Sequence, residues 1–370
     1  MKVAIIGCGI VGATIAYELS WVSNLSITVF DQLPLPTYPS DKEGKFSCGN
    51  STTAALGVLM SIISRKTKGK AWQMRQTSLR RYETLVPELE KLVGYSIPYN
   101  RQGILNLCFP EENFEQWIKL AEIRKAQGFT LEIWDKTQLQ QLCPHINHSQ
   151  ITGAIYSPQD RQINPTALNL ALIDGARYNG VEFVFGTNVL SISHNGDCVN
   201  TANASFDVDY LVITAGIGTS HLTANLQKFI DIRPVFGQAL QLRVECSLGN
   251  TDFQPVITGN DLHLIPVGNR NYWVGSTVEF PQGENCKIYP QAELLQDILQ
   301  QTTAFCPELA QSTIVRSWYG ARPRPYGRPG PIIEKLPGFN NVFLATGHYR
   351  NGVLLAPATA IKIREMLNPR

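Results

Sequence analysis

The feature that most constrains this chain is an ordered pattern ending at Asp31. Lys2 to Ile6 (KVAII) reads as a buried strand, and Gly7-Cys-Gly9-Ile-Val-Gly12 follows at once, opening an apolar helical run from Ala13 to Leu19. Each glycine has a mechanical reason. Gly7 permits the tight turn, Gly9 lets the backbone approach a pyrophosphate, and Gly12 lets the helix pack closely on the strand. The helix start supplies unpaired N–H groups and the positive end of the helix dipole. A second strand, Ser26 to Phe30 (SITVF), ends at Asp31, an acid placed to hydrogen-bond a ribose hydroxyl. Strand, loop, helix, strand and acid in this order predict a dinucleotide site. NAD and FAD stay open at this point, because both carry the same ADP half, and the acid disfavours only a 2′-phosphate.

A chain of 370 residues exceeds the roughly 250 to 300 that one hydrophobic core serves, so two domains are expected. With 32 Lys+Arg against 30 Asp+Glu, no strong field draws the chain to nucleic acid or anionic lipid. The cysteines, Cys8, Cys48, Cys108, Cys143, Cys198, Cys246, Cys286 and Cys306, are scattered without a CxxC pair, which predicts reduced thiols and no metal site. The N-terminus lacks the features of a signal peptide, and no apolar run approaches the ~18 to 20 residues of a membrane span. The expectation is a soluble cytoplasmic enzyme.

Beyond Asp31, residues 33–50 read as a loop. The small-residue run Ser51-Thr-Thr-Ala-Ala-Leu-Gly57-Val58 predicts the opening of a helix with Ser51 or Thr52 as its cap. Residues 71–91 then predict a long amphipathic helix, which ends regular strand and helix alternation. A strand over 103–109, a helix over 111–127 stopped at Gly128, and a helix from Pro165 to about Asn179 follow. Patterns at 181–185, 189–192, 198–200 and 209–214 predict strands returning to the nucleotide sheet. Gln238 to Val244, Leu262 to Pro266 and Tyr272 to Val278 alternate as an antiparallel sheet does, before one helix over 291–306. Arg322 to Pro331 (RPRPYGRPGP) reads as a rigid loop.

The segments VAIIGCGIVGATIAYELS, NSTTAALGVLM, LVITAGIGTS, WYGARPRP and ATGHYRNGVLLAPATA together resemble the D-amino acid oxidase superfamily, and within it the glycine oxidases of thiamine biosynthesis. The resemblance spans nearly the whole chain in the same order. It implies an α/β fold, with a discontinuous Rossmann-like FAD-binding domain and a second, α+β substrate domain built on an antiparallel sheet. Residues 1–91, 157–225 and 322–370 are expected to form the first, and 92–156 and 226–321 the second. The resemblance also implies FAD rather than NAD. The glycine turn of Gly7, Gly9 and Gly12, with Ile10, Val11, Asp31 and Gln32, is expected at the ADP half. Ser51, Thr52, Leu56, Gly57 and Val58 are expected along the pyrophosphate and flavin, and Val189 at the adenine side. His348, Tyr349, Arg350, Asn351, Gly352, Val353 and Leu354 are expected around the isoalloxazine edge.

Arg322 matches the family arginine that clamps the substrate carboxylate, a role that suits a planar guanidinium fork better than an ammonium. Arg350 would stabilise negative charge on the reduced flavin, aided by a helix starting near Val353. Arg324 stands where the family more often has a small polar residue. His263 falls where glycine oxidases usually carry a tyrosine near the carboxylate. A histidine there still donates a hydrogen bond but alters pocket volume and pH response, so a preference for glycine itself does not carry over. The expected reaction is oxidative deamination of glycine or a small D- or N-methyl amino acid by hydride transfer to flavin N5. Its products are a 2-oxo acid, ammonia or an amine, and hydrogen peroxide from dioxygen. The alternative is a dehydrogenase that passes electrons to a quinone or another carrier. A homo-oligomer is the expected assembly.

Overall fold

A computed structural model describes residues 1–37, 45–48, 50–147, 149–281 and 291–367. Strand β1 (Lys2–Ile6), helix α1 (Ile10–Leu19) and strand β2 (Ser26–Asp31) follow the pattern that opens the sequence. Beyond Lys2, every residue of β1 is buried, as a strand of a parallel sheet covered on both faces requires. Strand β1 lies at the middle of a six-stranded sheet. In spatial order the strands are 182–185, β2, β1, 210–213, 342–346 and 332–335, all parallel except the last pair.

One face of this sheet is covered by α1, the helix Pro165–Tyr178 and the C-terminal helix Gly352–Leu367. Asn164 caps Pro165–Tyr178, its side-chain oxygen accepting from the N–H groups of Thr166 and Ala167 at 3.0 and 3.1 Å. Helix α1 is buried nearly all round. Its only acid, Glu18, is 3% exposed, accepting from Arg81 Nε at 2.7 Å and from Arg364 Nη1 at 3.1 Å. That triad ties α1 to the helix Gly69–Val93 and to the C-terminal helix, and a buried carboxylate needs such partners.

The other face carries strands 189–192, 198–201 and 205–207. They were expected in the nucleotide sheet but form a separate antiparallel sheet, and their apolar residues Val189, Ile192 and Val199 pack on it.

The second unit is a nine-stranded sheet, mixed rather than purely antiparallel, because 45–48 pairs parallel to the strand Thr313–Pro325, and 256–259 parallel to 104–108. The strand 45–48 falls inside the span expected as loop, of which residues 38–44 and 49 lie outside the described residues, as does Cys286. The run expected as a helix from Ser51 is a turn. Asn50, rather than Ser51 or Thr52, holds it, with its Oδ1 accepting from the N–H groups of Thr52 and Thr53 at 2.9 and 2.8 Å. The strand at Tyr272 ends at Gly275 instead of Val278.

The expected loop from Arg322 begins as strand. Arg322 to Pro325 end the long strand Thr313–Pro325, paired with Ile232–Arg243. Among the described residues their second edge has no partner strand, since 45–48 pairs only with Arg316 to Tyr319, and prolines are tolerated at such an edge. The rung that joins Pro323 to Pro234 needs no N–H from either. Arg322 therefore stands on a strand of the nine-stranded sheet, not on a loop.

Candidate functional site

A cavity of about 590 Å³ runs from the carboxyl ends of the parallel strands to the strand that carries Arg322. That is where an open α/β sheet places ligands. At one end the glycine turn and α1 form its floor, with Gly7, Gly9, Ile10 and Val11 lining it. Gly7 has φ +104°, a conformation L side chains rarely adopt, while Gly12 lies behind the lining, where a Cβ would overlap the carbonyl oxygen of Gly7. No side chain caps α1 at Gly9. The N–H of Ile10 instead donates to Thr52 Oγ1 at 2.8 Å.

Asp31 and Gln32 line the same end. Each oxygen of Asp31 accepts one N–H, from Cys8 at 2.6 Å and Leu33 at 2.8 Å, so lone pairs remain for ribose hydroxyls. Val189 lies alongside, with Thr187 and Asn188. Ser51, Thr52, Leu56, Gly57 and Val58 line the middle. Ser51 Oγ donates to the carbonyl of Ala321 at 2.6 Å, and Trp318 Nε1 donates to that of Ala54 at 3.0 Å, fastening this turn to the strand that bears Arg322.

At the far end stand Arg322, His263, His348, Tyr349, Arg350, Gly352 and Val353. Gly352 and Val353 open the C-terminal helix, so its positive dipole end and Arg350 face the same volume. Two residues expected here fall elsewhere. Leu354 is buried in the core, and Asn351 lies outside the lining, with its Oδ1 accepting from Arg75 Nη2 at 3.1 Å. Arg75 also donates to the carbonyl of Met60 at 2.7 Å, which makes Asn351 a brace of the turn.

Sequence reasoning passed over two stretches of the wall, Thr214 to Gly218 and Ala345 to Gly347. Both lie at the carboxyl ends of parallel strands and carry glycine, a signal the rule for strand ends could have used.

Arg322 is held on three sides. Its Nη1 donates to the carbonyl of Phe236 at 2.7 Å, and its Nη2 to Ser276 Oγ at 2.6 Å and to the carbonyl of Thr277 at 3.0 Å. A Cβ at Gly237 would overlap the guanidinium, so glycine there makes its place. Burial, and then the charge of Arg350, lower its pKa to about 10, leaving it cationic at neutral pH. Either two-pronged edge of a guanidinium uses one Nη2 hydrogen. A bidentate anion must therefore take the place of one Nη2 acceptor, and Ser276, a rotatable hydroxyl on the cavity wall, is the one free to turn away.

His263 faces both arginines. Burial, then the charges of Arg350 and Arg322, lower its pKa to about 4, so the ring is neutral. Thr258 Oγ1 lies 2.9 Å from its Nδ1 and has no other acceptor among the described residues. The hydroxyl therefore donates to Nδ1, and the ring proton sits on Nε2 as a donor. His348 has the same tautomer for a different reason. Thr359 spends its hydroxyl proton on the carbonyl of Leu355 at 2.8 Å, so His348 Nε2 must donate to Thr359, 2.9 Å away.

Burial also lowers His348 and His145 to about 4, against the ordinary 6.5. The unfolded chain binds more protons than the fold between those values, so stability falls as pH drops from about 6.5 toward 4. Melting temperature should decline steadily across that window. A flat profile would mean that these rings are charged in the fold.

Residues 2–366 match the family described as FAD dependent oxidoreductase. The glycine oxidase of Geobacillus kaustophilus is 24% identical over 367 residues, covering 99% of this chain and 92% of that protein. The hydrogen cyanide synthase subunit HcnC of Pseudomonas protegens is 25% identical over 394 residues, with 99% and 92% covered. The crystal structure of the Geobacillus kaustophilus glycine oxidase superposes with a TM-score of 0.86 at 22% identity, covering 99% of this chain and 94% of that one.

Proposed function

Because this chain belongs to the FAD dependent oxidoreductase family, and FAD is its cofactor, we propose that it oxidatively deaminates glycine or a small D- or N-methyl amino acid. The observation that carries this reading is a half-buried arginine, Arg322, held by three hydrogen bonds and facing the same cavity as the glycine turn of α1. The resemblance to glycine oxidases supports the same substrate class. The domain division expected from the sequence, with FAD on residues 1–91, 157–225 and 322–370, is part of the proposal.

The residues fit the cofactor. Asp31 offers acceptors for the ribose, the glycine turn and Thr52 leave room for the pyrophosphate, and Arg350 with the start of the C-terminal helix offers positive charge at the redox end. When bound, FAD supplies a two-electron acceptor for the α-hydrogen and its bonding pair.

The chain's own work is positioning. Arg322 takes the substrate carboxylate, with Ser276 turning away, and the Nε2–H of His263 donates to one of its oxygens. Fixing the carboxylate orients the α-carbon, and orientation is the larger part of what such a site contributes. Burial and the two arginines lower the pKa of His263 to about 4, so its ring is a weak base. No Asp or Glu lines the substrate end of the cavity among the described residues. The substrate amine therefore loses its proton to solvent before oxidation, and water hydrolyses the imine product to the 2-oxo acid.

The test uses purified FAD-loaded protein without oxygen. Glycine, sarcosine and D-alanine, added separately, are expected to bleach the flavin absorbance. Bleaching by none of them removes the amino acid reading. Readmitting air and assaying hydrogen peroxide then decides between an oxidase and a dehydrogenase that needs a quinone or another carrier.

A further inference from the structure

A second cavity of about 560 Å³ lies beside the first, and Gly347, His348 and Tyr349 line both. Three arginines line it, and among the described residues no Asp or Glu does. Two of the three are matched. Arg233 pairs with Asp231 at 2.9 Å and lies 3.4 Å from the centroid of the Tyr326 ring, while Arg328 pairs with Glu334 at 2.9 Å.

Arg324 differs from both. It has no carboxylate partner among the described residues, and its guanidinium carbon stands 5.2 Å from the centroid of the Phe280 ring and 5.7 Å from that of Tyr349. Two aromatic rings orient this exposed cation, and no described carboxylate pairs with it.

Its place on the strand links it to the substrate arginine. Arg322 and Arg324 are two residues apart on Thr313–Pro325, so they leave the same face, about 6.5 Å apart along the strand. Arg322 opens on the first cavity and Arg324 on the second, with Tyr349 lining both. A carboxylate held on Arg322 thus has, two strand positions away, a second arginine with no carboxylate partner among the described residues. A substrate with a single carboxylate uses only the first.

Resting on the amino acid reading above, we propose that Arg324 binds a second anionic group of the substrate. The preferred substrate is then an amino acid with an additional carboxylate, on its side chain or on its nitrogen substituent. The α-carboxylate sits on Arg322, and the second reaches past the edge of Tyr349 to Arg324.

The experiment compares FAD-loaded wild type with Arg324→Gln and Arg324→Lys. Flavin reduction is followed without oxygen for iminodiacetate, D-aspartate and D-alanine, and binding of the unreactive dianion glutarate is followed by perturbation of the flavin spectrum. A hydrogen-bonded charge pair of this kind makes the expected discrimination roughly tenfold. Wild type should prefer the better of the two dianionic substrates to D-alanine by about that factor in kcat/KM. Arg324→Gln should abolish the preference and weaken glutarate binding to match, and Arg324→Lys should retain part of both. Absence of the preference in wild type, or an equal change for every substrate in Arg324→Gln, overturns the proposal. If no amino acid reduces the flavin, the oxidation reading falls by itself. The anion site then stands if glutarate binding depends on Arg324, and falls with it if not.

Discussion

Replacing Arg322 with alanine is expected to leave FAD bound while kcat/KM for the amino acid falls by roughly two to three orders of magnitude. The size follows from the environment. Truncating one partner of a buried, hydrogen-bonded charge pair costs about 2 to 5 kcal/mol, and each 1.4 kcal/mol is a factor of ten. Retention of the flavin follows from the hydrogen bonds of Arg322, which among the described residues go to Phe236, Ser276 and Thr277 and not to the elements around the glycine turn. Arg322→Lys should recover only a minor part of the loss, because an ammonium keeps the charge but not the fork. Stopped-flow reduction without oxygen, with the flavin content of each variant measured beside it, checks this. A kcat/KM unchanged in Arg322→Ala would remove the residue from the clamp.

The second large effect is expected at Gly12. Its backbone is not in the left-handed region, so the requirement there is one of space alone. A Cβ would overlap the carbonyl oxygen of Gly7 and crowd Thr214 Oγ1, and neither backbone nor a buried threonine can withdraw cheaply. Gly12→Ala must push α1 off β1, which removes the glycine turn as a phosphate cradle. Purified protein should carry almost no flavin, and the fold should lose several kcal/mol, in the range of other overpacked cores, about 1 to 3 kcal/mol or more. Gly128→Ala is the contrast. That glycine has φ +83° and nothing within 4 Å, so it tests conformational strain without a clash. It should cost about 1 kcal/mol and leave flavin content unchanged. Equal flavin content in Gly12→Ala and wild type would contradict the packing argument.

How far the site could be read from sequence depended on whether its signals were local. The glycine turn and Asp31 are local, since both lie on one strand, helix, strand unit whose residues meet each other first. The strand at Leu262 was equally plain, because alternation is visible over five residues. The end of Thr313–Pro325 was not. Proline normally argues against strand, and only its pairing with Pro234, far away in sequence, makes Pro323 harmless. The turn at Ser51 misled in the opposite way. Its small side chains suit a helix start, but the Asn50 cap and the fastening to Ala321 and Trp318 close it into a turn. The sheet of 189–207 was misplaced because apolar alternation shows that a strand has a buried face, not which sheet covers it. Asn351 shows the same limit on a smaller scale, for its neighbours in sequence line the cavity while its own side chain answers Arg75.

The ion triad at Glu18 also bears on how the protein is made. Glu18 and Arg364 are 346 positions apart, and a comparable stretch of chain divides the two walls of the cofactor cavity, the glycine turn from Gly7 and the stretch from Ala345 to Val353. On the ribosome, the first wall is synthesised long before the second exists. Until then the Glu18 carboxylate lacks Arg364, and the face of α1 that the C-terminal helix covers stays bare. The nascent chain can close around its cofactor only after the stretch from Ala345 to Val353 has been translated, so a product that terminates before Ala345 lacks that wall of the cavity.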